Sequence, residues 1–474
     1  MCFSILVGKK ASASGNVLLA TNDDGAGCPG RVCHVPPRSW PEGAEYVTVD
    51  GTRIPQLPKT YGYTYSAAAY TTGTLDISWA DGVNENRVAV AMTGSYAFAD
   101  HHTERDHLEA DDLSLLILQR STSARHAIET VAELIRRYGF TTSSIEGARG
   151  SATLAIADPE EGFFLELLPG GHWCAKRVAD DEAECRGNCF GIGEVDFADP
   201  VNFLWSPGLY ELALKSGKLR PGETLNFSKV FGGDTSDISP SYGGALNPVN
   251  TLRKWNFLHA AGGLDIPLEE PRYSCKPAAP ISVRGLMDIM RSDLAGTRYD
   301  PSVCWQAGVN HNPYWAIINP SISQSGTIVC MVADLAREKA KSKVWFSCCN
   351  ARLSPFVPCY TSGHGLPPAY QTGEYTKYDP ESAWWVFEEL NELCYRNYDA
   401  VARKAVIPAI NALEDRFFSR LREAEENAGD EPWTDITDSL AEEALDWARE
   451  LTVTLKGKYL CNTVLSGSNP LATI

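Results

Sequence analysis

The stretch that most limits the fold is the first one, MCFSILVGKKASASGNVLLATNDDG. Cys2 to Val7 is an apolar run of strand length, ASASGN supplies small and turn-forming residues, and VLLATN resumes the apolar pattern. Two such runs joined by a turn predict a β-hairpin. Antiparallel pairing then carries residue 2 to the TNDDG end of the second strand, so that Asn22, Asp23 and Asp24 become its neighbours.

That placement raises the chemistry of Cys2. With Met1 retained, Cys2 is a buried thiol at the head of a strand, an ordinary place for cysteine. With Met1 removed, which the small cysteine side chain permits, Cys2 carries both a thiol and a free α-amino group. An α-amine with a reference pKa of about 7.7 to 8.0 is substantially neutral near pH 7 and accepts the thiol proton without a histidine. Thiol attack on a carbonyl also needs rigid amide donors for the oxyanion. Asn84 in GVNEN and Asn188 in RGNCFGIGE stand in turn contexts that supply them, although asparagine is also favoured there for backbone reasons alone. Asp24 has the same double reading, since NDDG is a good turn in its own right.

The rest of the chain reads as a layered α+β protein. Strand patterns recur at EYVTVD, YGYTYSAA, LDISWADG and VAVAMTGSYAF. The first long helical pattern starts at an N-cap, Ser123, repeats through Ile128, Val131 and Ile135, and ends in RRYG at Gly139. A strand meander follows from Ser151 to Val178, with turns at DPEEG and PGG; the latter pair makes a hairpin, and His172 beside it is structural. From Glu381 the pattern is helical, broken near Pro408 and resuming to about Leu455, with Trp384, Trp385 and Phe387 as core residues. This divides the chain into residues 1–380 and a helical extension, 381–474, packing on it.

Several function classes are disfavoured. A formal net charge of -18 is a poor match for phosphate backbone, which argues against nucleic acid as a partner. No apolar segment approaches the length of a membrane span and no charged leader precedes one, so no membrane partner is expected and a cytoplasmic location is the default. The 14 cysteines of so long a chain read as reduced thiols. No zinc-type pairing of CxxC motifs occurs, and DHHTERDH, with His101, His102 and His107, lacks the helical spacing of a zincin, so no metal is expected. Phosphate-binding glycine loops are missing as well, and no cofactor is expected.

Taken in order, MCFSILVGKKASASGNVLLATNDDG, DGVNENRVAVAMT, GFFLELLPGGHWCAKRV, GNCFGIGEVDF, LSPFVPCY and SAWWVFEELNELCYRNY resemble the cysteine dipeptidases of peptidase family C69. These are N-terminal nucleophile (Ntn) hydrolases related to the secernins and more distantly to penicillin V acylases and bile salt hydrolases. The resemblance implies a four-layered αββα sandwich of antiparallel sheets with the C-terminal helical extension. It implies Cys2 as nucleophile, its own amine as base, Asp24 holding that amine, Asn84 and Asn188 at the oxyanion, and Arg253 as a further active-site arginine. The family stretch begins with arginine where this chain has Thr21. Either Arg31 or Arg253 substitutes in space, or the substrate preference has shifted. The expected activity is hydrolysis of dipeptides or short peptides, with N-acyl amides as the alternative substrates. A secernin-like interaction protein is the non-enzymatic alternative. The acidic surface and long C-terminal helices permit a homo-oligomer without requiring one.

Overall fold

A computed structural model of the chain describes residues 2–25, 28–68, 80–96, 107–141, 150–232, 247–315, 321–374, 377–427 and 434–460. The N-terminal hairpin forms as its pattern predicts, with β1 (Phe3–Val7) antiparallel to β2 (Val17–Asp24). The chain then adds β3 (Gly30–Val35) and four short strands, β4 (Arg38–Ser39), β5 (Glu45–Val47), β6 (Arg53–Pro55) and β7 (Lys59–Thr60), that pair among themselves. Next come β8 (Tyr63–Ala68), β9 (Asp81–Asn84) and β10 (Ala89–Tyr96). Most of the strand expected in LDISWADG lies outside the described residues; its last two residues open β9.

Two helices follow. The second, α2 (Ala124–Tyr138), matches the expectation: the Ser123 hydroxyl accepts from the His126 amide and Gly139 closes the helix. The first, α1 (Ala110–Arg120), is a correction, since no helix was expected ahead of Ser123. Leu113 and Leu115 to Leu118 are all buried, so the helix is apolar nearly all round and shows no 3.6-residue stripe. Of DHHTERDH, only His107 is described, and it bonds Asp50 at 2.9 Å.

The expected meander is β11 (Gly150–Ala157), β12 (Gly162–Leu167) and β13 (Trp173–Arg177), followed by β14 (Ala183–Arg186) and β15 (Phe203–Trp205). Helices α3 (Leu209–Lys215), α4 (Phe227–Phe231), α5 (Pro248–Gly262) and α6 (Val283–Met290) come next, with β16 (Ser274–Cys275) between the last two. The chain then runs through β17 (Thr327–Leu335), β18 (Lys343–Cys348) and β19 (Val357–Tyr360) into α7 (Ala383–Arg396), α8 (Ile407–Asn427) and α9 (Thr434–Leu455). The break expected near Pro408 is a π-helical stretch, Tyr398–Val406, and the proline is the second residue of α8, directly after it.

These strands build two antiparallel sheets. One runs β16-β14-β1-β2-β17-β18-β19, the other β15-β13-β12-β11-β10-β9-β8-β3. They pack face to face, with Leu6 and Leu19 of the first against Val83, Ala91 and Phe164 of the second. Helices α1 and α2 cover the outer face of the eight-stranded sheet, and α5, α6, α7 and α9 that of the seven-stranded one. The result is the four-layered αββα sandwich. Among the described residues no helix is long and apolar enough to cross a membrane.

Helix α8 is tied to this body by a buried carboxylate. Glu414 accepts from Arg284 at 2.8 Å, from Arg291 at 2.9 Å and from the Phe356 amide at 2.7 Å. Truncating one partner of a buried pair strands the other, at a cost of about 3–5 kcal/mol. Glu414→Ala is therefore expected to lower the urea midpoint by that equivalent with an unchanged m-value. A loss below about 1 kcal/mol would show that the ion pair does not anchor α8.

Candidate active site

Two strand registers determine what surrounds Cys2. On one side of β1, Phe3 stands opposite Asn22 and Ser4 opposite Thr21, which continues to Cys2 opposite Asp23. On the other side, Ser4 stands opposite Arg186 of β14, which continues to Cys2 opposite Asn188. The contacts agree: Cys2 Sγ lies 4.0 Å from Asp23 Oδ1, and the Asp24 amide is hydrogen-bonded to the thiol. Side chains alternate along a strand, so Cys2, Ser4, Thr21 and Asp23 share the face turned to the second sheet. There Ser4 Oγ meets Thr21 Oγ1 at 3.2 Å and Thr93 Oγ1 of β10 at 3.1 Å. Asp24 lies at the far end of β2, where its Oδ1 accepts from Thr327 Oγ1 at 2.6 Å beside a bulge in β17.

Arg253, fully buried on α5, reaches into this corner. It donates to the Cys2 carbonyl at 2.9 Å, to Asn188 Oδ1 at 2.9 Å and to Asn250 Oδ1 at 3.0 Å, and its ring of contacts includes the Phe3 face. Arginine offers donors only, so the Asn188 atom facing it is the carbonyl oxygen. The Asn188 Nδ2 group is thereby turned the other way, onto the Gly94 carbonyl of β10 at 2.9 Å. No other acceptor among the described residues takes its second N–H. Gly187 is what lets the arginine in, because a Cβ there would lie 2.9 Å from Asn250 Oδ1 and 3.4 Å from Arg253 Nη2.

The turn carrying Asn188 is clamped from below. Glu166 of β12, buried, accepts from Arg186 Nε at 2.9 Å and from the amides of Gly191 and Ile192 at 2.7 and 3.1 Å. Arg186 also pairs with Glu184 at 2.7 Å and lies over the rings of Phe164 and Tyr273.

Burial governs the charges. It pushes the Cys2 thiol up to about 12, while the N-terminal ammonium pulls the other way and Asp23 and Asp24 add to the rise. Asp23 is held well above the usual carboxylate range by burial and then by the charges of Asp81 and Asp24. Asp81 is raised by burial to about 7, against hydrogen bonds from the Met92 amide and Thr21. Asp24 is raised by burial, opposed by the N-terminal ammonium, Thr327 and Arg253.

Cys2, Asp24, Asn188 and Arg253 are thus brought together, and Asn84 is not available to them. Its Nδ2 donates to the carbonyls of Leu118 and Ser121, its Oδ1 accepts from Asn86 and Val88, and its own amide bonds the Val88 carbonyl. Every donor of Asn84 is spent on the β9–β10 turn and on α1, so the oxyanion role expected of it is withdrawn. Arg31 is likewise engaged elsewhere, on the Gly373 carbonyl; the arginine beside Cys2 is Arg253. Sequence reasoning missed Asp81, Asn250 and Glu166. Asn250 carried a usable signal, since it stands three residues before Arg253 on one helix face.

A family model, Peptidase family C69, matches residues 1–407. The chain is 27% identical to a probable dipeptidase of Latilactobacillus sakei, over 84% of this chain and 82% of that protein. It is also 27% identical to a probable dipeptidase B of Lactococcus lactis, with the same coverage, and 25% identical to dipeptidase A of Lactobacillus helveticus over 85% of each. Among solved structures, a mutant of the conjugated bile acid hydrolase from Clostridium perfringens aligns over 76% of this chain and 92% of that one, at 12% identity and a TM-score of 0.36, a likeness too low to bear on the fold.

The buried acids make stability depend on pH in a definite direction. Asp81 holds its proton to about 7 in the folded chain and to 3.8 as an ordinary side chain, so folding takes up a proton between those values. Its contribution is fully favourable below the lower value and is lost as pH rises toward 7, at about 1.4 kcal/mol per pKa unit. Asp81→Asn is expected to gain stability relative to the unsubstituted protein as pH rises from 4 to 8, measured by urea denaturation at each pH. A constant difference across that range would contradict the assignment.

Proposed function

The chain belongs to peptidase family C69, and from that membership and the arrangement around Cys2 we propose that it hydrolyses dipeptides and short peptides with Cys2 as nucleophile. The observation that carries the reading is the conjunction at residue 2. A thiol at the head of a central strand has carboxylates on one side and an oriented carboxamide with a free N–H on the other.

In the proposed cycle, removal of Met1 leaves the α-amine on Cys2 itself. Burial favours the neutral thiol, so attack requires that its proton be transferred as the bond forms. The neutral α-amine takes that proton, with Asp24 stabilising the resulting ammonium, and sulfur bonds to the scissile carbonyl carbon. Asn188 Nδ2 donates to the oxyanion, and Arg253, a positioning residue, keeps the carboxamide in that orientation. The ammonium passes its proton to the departing amine as the C–N bond breaks, leaving a thioester. Water then attacks the thioester, giving its proton to the same α-amine, and the thiol is regenerated with release of the acid product.

The test is amine release from a mixed dipeptide panel by the wild-type protein and by Cys2→Ala, with loss of Met1 from both verified by intact mass. Cys2→Ala is expected to lower kcat by roughly three orders of magnitude or more. Equal rates would make Cys2 structural; cleavage of N-acyl amino acids alone would assign the acylase reading instead. A further expectation concerns the clamp. Glu166→Gln loosens the turn that carries Asn188, and kcat on the same panel should fall about 10- to 100-fold with KM less affected, as for a donor mispositioned at the oxyanion. An unchanged kcat would show that the turn holds Asn188 without Glu166.

A further inference from the structure

Strand β17 departs from regular pairing at one end, beside the nucleophile. It runs in plain antiparallel register with β2 down to Cys330 opposite Asn22 and Val329 opposite Asp23. Continued regularly, that ladder would set Ile328 opposite Asp24. A bulge intervenes, and Thr327 takes the position instead. The extra residue therefore exchanges an isoleucine for a hydroxyl at the point facing the acid assigned to the Cys2 amine. Thr327 Oγ1 donates there to Asp24 Oδ1 at 2.6 Å, with both residues buried.

A bulge has to be held, because it takes backbone groups out of the ladder. The Ile328 carbonyl is held twice, accepting from the Cys349 amide at 2.9 Å and from the Trp384 indole N–H at 3.0 Å. Trp384 reaches it from α7. Cys349, which follows β18 at a left-handed φ of 62°, gives its thiol in turn to the Trp384 carbonyl at 3.3 Å. Gly30 of β3 leaves the room, since a Cβ there would lie 2.7 Å from the side chains of Ile328 and Val329. Three parts of the chain thus converge on the residue that the ladder leaves out. Trp384, expected from the sequence as a core residue, is also a donor with a defined acceptor.

The hydroxyl has a chemical consequence. Burial disfavours the ionised form of Asp24, and the N-terminal ammonium, the Thr327 hydroxyl and Arg253 act the other way. The ammonium and the guanidinium act by charge. A hydrogen bond is directional as well, so Thr327 both favours the carboxylate and fixes how it is turned.

Resting on the peptidase reading above, we propose that the bulge at Ile328 is a positioning device for the Cys2 amine. Thr327 holds the Asp24 carboxylate in the orientation that receives the Cys2 ammonium, and Trp384 and Cys349 hold the bulge that places Thr327. Thr327 and Trp384 are positioning residues, so their loss slows the chemical step and leaves substrate binding in place. Helix α7 thereby contributes to the site through the backbone of β17, without a side chain in it.

Three variants test it. Thr327→Val removes the hydroxyl and keeps the branched shape, Thr327→Ser keeps the hydroxyl, and Trp384→Phe removes the N–H that holds Ile328. Each full-length protein is assayed on the dipeptide panel once loss of Met1 is verified by intact mass and folding by thermal melting. Thr327→Val is expected to lower kcat roughly 10- to 100-fold, the range of a hydrogen bond to a charged group, with KM nearly unchanged. Thr327→Ser should keep most of the activity, and Trp384→Phe should lower kcat by less than Thr327→Val does. A wild-type kcat in Thr327→Val, or equal losses in Thr327→Val and Thr327→Ser, overturns the proposal; a wild-type kcat in Trp384→Phe alone overturns the part assigned to α7. Labelling of Cys2 by iodoacetamide, read by peptide mass, follows the same loss of the thiol proton without a peptide. If the wild-type protein labels faster than Thr327→Val but cleaves nothing, the bulge keeps its role and the peptidase reading falls. If it cleaves the panel and the variants match it in both assays, the peptidase reading stands and the bulge is structural.

Discussion

Strand β1 is hydrogen-bonded along both edges, to β2 and to β14, and the arrangement of the site depends on that double pairing. A strand with one free edge can slip by a residue; a strand held on both sides and buried on both faces cannot, because a slip would turn every side chain to the opposite face. Five residues, Phe3 to Val7, are all buried and all paired. Residue 2, one step beyond the ladder, inherits their register. The sulfur is therefore positioned by the sandwich as a whole and not by a flexible terminus, which is how two sheets and a helix can converge on one atom.

The second feature is how charge is divided in the corner. Arg253 sits at full burial with its donors distributed over two carbonyls and two carboxamides, which lowers the cost of placing a guanidinium there. It thereby does two jobs with one charge, biasing Asp24 toward its ionised form and orienting Asn188. Asp23 and Asp81 fall outside its influence. The corner is consequently divided across the sulfur, with a guanidinium on the α5 side and two acids that burial holds toward their protonated forms on the side facing the eight-stranded sheet.

Much of this was legible in the order of residues. Apolar runs around ASASGN encode the hairpin, and pairing alone carries Cys2 to the acidic end of β2. The caps of α2, Ser123 and Gly139, mark their helix by local chemistry, and so does the strand meander with its two turns. What could not be read required partners distant in sequence. Asn188 is beside Cys2 because β14 pairs with β1, and Arg253 because α5 packs on β14 and β16. Asn84 misleads for a definite reason: an asparagine that saturates a tight turn and one that donates to an oxyanion look alike until the acceptors are located, and here all of them belong to the protein. Helix α1 was hidden by being apolar nearly all round, and Asp81 by standing in a strand pattern, LDISWADG, in which nothing marks it apart from its neighbours.

The central position of β1 also bears on how the chain is made. Its neighbours β14 and, through β2, β17 emerge much later in synthesis; Thr327 and Asp24, which meet across that second pairing, are 303 residues apart. Long-range pairings of this kind form late, because the closure entropy must be met before the contacts reward it. On the reading in which the Cys2 amine serves as base, Met1 has to be cut away, and residue 2 is most open to that while the first strand is still unpaired. Once the sheet closes, Cys2 is buried, with 7% of its surface exposed. Maturation of the site is then a race between the aminopeptidase and the folding of the strand that holds it.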